Sequence, residues 1–107
     1  MKVELFYFDG CPSYEQALSN VKDALRAEAL PETVEMVPVT SDTDAQAKRF
    51  LGSPTIRVDG VDLDGADADT RAYGYGCRVY ESDGQTVGWP SVVQVRQALQ
   101  MARGASG

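Results

Sequence analysis

Histidine is absent from this 107-residue chain. That excludes a histidine general base, a Ser-His or Cys-His pair and any His-ligated metal site. Cysteine is scarce, with only Cys11 and Cys77. Bases are outnumbered, 10 Lys and Arg against 16 Asp and Glu, for a formal charge of -6. Sequence-independent nucleic-acid binding needs a basic patch, so no nucleic-acid partner is expected. No apolar run approaches the ~20 residues that span a bilayer, so no membrane association is expected. The opening MKVELFYFDG lacks the charged leader and apolar stretch of a signal peptide, and a cytoplasmic location is expected. In a reducing cytosol two cysteines point to catalysis, redox sensing or simple burial rather than a permanent staple.

What remains is ordinary globular material. Hydrophobic residues are 43% and charged residues 24%, which is too apolar for a disordered tail. The length predicts a single domain over 1–107, since domains commonly run ~100–150 residues. Residues 2–8 alternate Val3, Leu5 and Tyr7 against Phe6 and Phe8, which predicts a central strand covered on both faces. Residues 13–29 repeat Tyr14, Ala17, Leu18, Val21, Ala24 and Leu25 at helical spacing. Pro12 suits the first helical turn, where its missing N–H costs nothing. Residues 33–39 predict an edge strand, because Pro38 cannot donate to a ladder. A short helix follows over 42–51, with Asp42 as N-cap and Gly52 just past its end.

Residues 55–58 predict a strand introduced by Ser53-Pro54 and closed by the turn signal Asp59-Gly60. An irregular acidic insertion occupies about 59–76. A strand over 77–81 then precedes the turn Ser82-Asp83-Gly84. Ser91 and Gln94 form a capping box for a last helix over 91–102. The order is β-α-β-α-β-β-α. It predicts an α/β fold with a four-stranded mixed sheet flanked by helices on both faces, the last two strands pairing as an antiparallel hairpin.

Cys11 follows the first strand at the start of a helix, where unpaired N–H groups and the helix dipole favour a thiolate. The thiolate is the nucleophile. Glu15, one turn on, opposes this by charge repulsion. The competing reading is a buried cysteine that only fills space. Cys77 lies beyond the irregular segment. It can be a resolving thiol if that segment returns the chain toward Cys11, or a buried structural residue. If the cysteines approach, Arg78 or Arg57 could stabilise a thiolate. The segment DGVDLDGADAD at 59–69 holds Asp59, Asp62, Asp64, Asp67 and Asp69. No register places Gly sixth and Glu twelfth as a calcium loop requires, so a solvated acidic loop is expected. The neighbouring AYGYG at 72–76 can be a flap or a recognition surface.

FDGCPSY at 8–14 and GSPTIRVDG at 52–60, with the order of elements, resemble the thioredoxin-like superfamily. The chain also resembles small bacterial thioredoxin-like proteins with a Phe-Asp-Gly-Cys-Pro opening and a later Cys-Arg-x-Tyr, some labelled alkylmercury-lyase-like. The resemblance implies Cys11 as nucleophile and Pro54 as a cis-proline packed beside it, with Thr55 opening the adjoining strand. Pro54, Thr55 and Pro12 are expected on the substrate side. Tyr14 either joins them by hydrogen-bonding the thiolate or a bound species or is a core aromatic on the helix face. It also marks a departure. Tyr14 stands where a Cys-x-x-Cys motif has its resolving cysteine, so dithiol exchange within Cys11-Pro12-Ser13-Tyr14 is impossible.

Three readings stay open. One is a thiol-dependent redox protein, monothiol or an atypical dithiol of Cys11 and Cys77, acting on a disulfide or small thiol, with or without a protein partner and without a cofactor. Another is a non-catalytic binding module on the same fold, with residues 59–76 as its working surface. The last is soft-metal or iron–sulfur handling through Cys11. For that reading two cysteines without histidine are an incomplete tetrahedral set, and no resident metal is expected.

Overall fold

The computed structural model describes residues 2–11, 13–63, 79–82 and 84–106. Pro12, Cys77, Arg78, Asp83 and the segment 64–76 lie outside the described residues.

The two-sided first strand organises the rest. Strand β1 (Val3–Tyr7) is followed by helix α1 (Tyr14–Ala27), strand β2 (Glu35–Pro38), helix α2 (Asp42–Ala47) and strand β3 (Thr55–Val58). Strands β4 (Val61–Asp62), β5 (Tyr80–Ser82) and β6 (Gln85–Val87) precede helix α3 (Val92–Ser106). The main sheet has the order β2-β1-β3-β4, so β1 is internal and β2 is an edge, as Pro38 predicted. β1 pairs parallel with β2 and antiparallel with β3, which makes a mixed sheet. On one face Val3, Leu5, Ile56 and Val58 pack with Ala17, Val21, Ala24 and Leu25 of α1 and Val95 and Leu99 of α3. On the other, Phe6 packs with Val39, Ala45 and Phe50, with Phe8 and Val37 beside them. Emptying a fully enclosed aromatic such as Phe50 to alanine costs about 3–5 kcal/mol at such sites.

The expected hairpin between residues 55–58 and 77–81 is corrected. β3 turns back on β4 at once, with Val58 opposite Val61 and Arg57 opposite Asp62. Asp59 at φ 53° and Gly60 at φ 83° supply the positive φ at both turn positions that a type I′ hairpin turn requires. The irregular insertion therefore does not begin at 59. Tyr80–Ser82 pairs instead with Gln85–Val87 in a separate two-stranded sheet. No described helix is long and apolar enough to cross a membrane.

Helix ends also differ from expectation. α2 is capped by Ser41, whose hydroxyl accepts from the Asp44 N–H at 3.0 Å, and not by Asp42. It ends at Ala47 rather than near Gly52. Arg49 takes the left-handed position at φ 55°, while the Phe50 N–H donates back to the Ala45 carbonyl. α1 ends the same way, with Ala29 at φ 56° and the Leu30 N–H on the Leu25 carbonyl. α3 runs through Gly104 to Ser106, and its Ser91–Gln94 capping box forms in both directions. Glu28 joins the two long helices: its carboxylate accepts from Arg96 at 2.9 Å and Gln100 at 3.1 Å.

Two outcomes are expected. Ala29→Gly relieves an alanine from the left-handed region and stabilises the fold by about 0.5–1 kcal/mol, read from the urea midpoint. Hydrogen bonds from Arg96 and Gln100 hold the Glu28 carboxyl below its ordinary range, and Lys48 and Thr40 do the same for Asp44. A depressed folded pKa stabilises above the unfolded value and loses that contribution as pH falls through the folded one. Urea unfolding at stepped pH is expected to show stability falling below the ordinary carboxylate range, with a shallower fall in Glu28→Gln.

Candidate functional site

Cys11 lies just beyond the carboxyl end of β1, which is where the chain must turn to begin α1. A tight turn places it there: the Cys11 N–H donates to the Phe8 carbonyl at 3.0 Å, across Asp9 and Gly10. α1 then starts at Tyr14, with Ser13 at the N-cap position in helical geometry and making no side-chain cap. Cys11 is thus two residues ahead of the cap, at the margin of the first turn where the dipole acts. Its thiol is free and 2% exposed. The Cys11 Sγ–H donates to the Ser53 carbonyl at 3.7 Å.

That acceptor lies just ahead of β3, the strand that adjoins β1. Ser53 and Pro54 lead into β3, and the bond between them is cis. The antiparallel pairing of Phe6 with Thr55 brings this connection to the end of β1 that carries Cys11. Cys11 and Pro54 are therefore juxtaposed through Ser53. Thr55 is fully enclosed, and its hydroxyl donates to the Gly52 carbonyl at 2.6 Å, bracing the turn. Ser53 Oγ is also buried but has no hydrogen-bond partner among the described residues.

Tyr14 stacks on Tyr7 with ring centroids 4.6 Å apart and packs against the α1–α3 side of the core. This is the packing role open to an aromatic on a helix face. Arg57 is engaged elsewhere. Its guanidinium donates to the Lys48 and Arg49 carbonyls and lies 4.2 Å over the Phe6 ring, so it serves the end of α2. The expectation that Arg57 could stabilise a Cys11 thiolate is corrected accordingly. Pro12, Cys77 and Arg78 lie outside the described residues. Among the described residues no three of Asp, Glu, Cys or His converge as a metal-binding group.

Sequence reasoning missed Tyr80 and Gly88. The Tyr80 hydroxyl donates to the Pro54 carbonyl in a buried hydrogen bond. Gly88 lies so close to Ser13 that a Cβ there would meet Ser13 Oγ at 2.5 Å. The only local hint for Tyr80 was that a buried tyrosine needs a partner for its hydroxyl. Nothing near Gly88 in the sequence announces its contact. No protein-family model, curated protein or solved structure matches the chain.

The two buried hydroxyls beside Cys11 predict opposite responses. Ser53→Ala removes an unpartnered polar group and is expected to stabilise by about 1 kcal/mol. Thr55→Val strips a buried hydrogen bond from the Gly52 carbonyl and is expected to cost about 1–3 kcal/mol. Urea unfolding of both variants measures the pair.

Proposed function

We propose that this chain is a thioredoxin-like, thiol-dependent redox protein in which Cys11 is the reacting thiol. One observation carries the reading: the Cys11 sulfur sits at the end of the internal strand, against the carbonyl that directly precedes cis Pro54. A reducing cytoplasm suits such a free thiol.

The chemistry follows from the residues present. The Cys11 thiolate attacks one sulfur of a disulfide, the S–S bond breaks, and the other sulfur leaves as a thiolate. Cys11 is then held in a mixed disulfide. Tyr14 occupies the motif position of a resolving cysteine, so a second thiol must come from elsewhere. A small thiol supplies it in a monothiol cycle, and Cys77 supplies it in a dithiol cycle. In the monothiol cycle the small thiolate attacks the outer sulfur of the mixed disulfide, releases Cys11 as a thiolate and leaves as a disulfide. In the dithiol cycle Cys77 attacks the Cys11 sulfur, expels the substrate thiolate and leaves a Cys11–Cys77 disulfide that an external thiol reduces. The low exposure of Cys11 limits reagents to those that fit a nearly closed site.

The test is reaction of the folded chain with glutathione disulfide, mapped by mass spectrometry. The expected product is a glutathione adduct on Cys11 that reduced glutathione reverses and Cys11→Ser abolishes. An adduct yield equal in wild type and Cys77→Ser identifies the monothiol cycle. An adduct that accumulates only in Cys77→Ser, with a Cys11–Cys77 disulfide in the wild type, identifies the dithiol cycle. A Cys11 that gains glutathione only after unfolding contradicts the reading.

A further inference from the structure

Cys11 is nearly inaccessible, and the described residues around it show what encloses it. Ser53 and Thr55 are fully buried, Pro54 is enclosed with them, and Tyr80 is only 3% exposed. Tyr80 does not belong to the main sheet. It opens β5, which among the described residues pairs with β6, and there the β5–β6 hairpin shares no ladder with β2-β1-β3-β4. Side chains and close packing hold this region to the site instead. The Tyr80 hydroxyl donates to the carbonyl of Pro54, whose neighbour Ser53 accepts from the Cys11 thiol. Gly88, one residue past β6, packs on Ser13, two residues past Cys11. Asn20 Nδ2 donates to the Pro90 carbonyl at 2.8 Å and fixes the same connection along α1. The first two contacts land within two residues of Cys11 or of its acceptor.

The geometry points to Tyr80 as a specificity-determining positioning residue, which latches the β5–β6 hairpin over Cys11. With the hydrogen bond to Pro54 made, the site admits small thiol-reactive molecules and resists bulky disulfides. When it breaks, the hairpin lifts and larger disulfides reach the sulfur. Tyr80 acts through the Pro54 carbonyl and touches no reacting atom. The assignment rests on the reading of Cys11 as the reacting thiol.

The test compares two reagents on the full folded chain, with modification mapped to Cys11. Methyl methanethiosulfonate is the small probe and dithiobis(nitrobenzoate) the bulky one. Tyr80→Phe keeps the ring and removes the hydroxyl. It is expected to raise the ratio of bulky to small rates by roughly three- to tenfold, the effect of one lost hydrogen bond. General loosening raises both rates together and leaves the ratio unchanged. Gly88→Ala serves as the second variant. It keeps the Tyr80 hydroxyl but drives a Cβ against Ser13, prising the same hairpin away from Pro54, and it is expected to raise the same ratio. Ratios unchanged in both variants, with Cys11 still accepting glutathione, overturn the latch and leave the redox reading standing. A Cys11 that no reagent modifies in the folded wild type or in either variant overturns both.

Discussion

The structure depends on one strand that buries both of its faces. β1 sends Val3 and Leu5 into the core shared by α1 and α3, and Phe6 into the pocket closed by Ala45 and Phe50. A strand of this kind cannot sit at a sheet edge, and it requires cover on both sides. Parallel β2 and antiparallel β3 therefore flank it, and the helices divide between its faces. The same burial fixes where the strand must end. Asp9 and Gly10 turn the chain, and Cys11 emerges just beyond the carboxyl end of this strand.

Antiparallel pairing does the rest of the positioning. Because Phe6 lies opposite Thr55, the residues leading into β3 arrive beside the end of β1. Two successive carbonyls are thereby presented, that of the cis peptide itself and the one that follows it. Ser53 accepts from Cys11, and Pro54 accepts from Tyr80. A thiol ahead of the first helix and a phenol from the β5–β6 hairpin thus meet the one short segment that leads into β3. The enclosure separates this site from an exposed thiol. Every partner in the chain from Cys11 to Tyr80 is buried, so access to the sulfur is a property of local opening.

Legibility in the sequence tracked the range of the interaction. The two faces of β1 were readable because side chains alternate with a period of two. The Ser91–Gln94 box was readable because both partners lie within one turn. Pro38 marked an edge because a missing N–H is a local fact. The β3–β4 hairpin was not readable as such. Asp59-Gly60 announced the turn, but β4 is only Val61 and Asp62, too short for a pattern. The end of α2 was misplaced because Arg49, not a glycine, takes the left-handed position, held there by the backbone bond from Phe50 to Ala45. At the site, Cys11 and Pro54 stood out through their motifs. Tyr80 did not, since it reaches Pro54 across 26 residues. Arg57 looked available for a thiolate until its bonds to the end of α2 were seen.

The central claim is that Cys11 reacts from the folded protein and is not merely a core residue. The most direct measurement is the rate of Cys11 alkylation as urea rises through the range below the unfolding transition. Reaction through local opening exposes little surface, so the account predicts a rate nearly independent of urea. A rate that climbs with the full slope of global unfolding would contradict it, because Cys11 would then be reached only when the fold is lost.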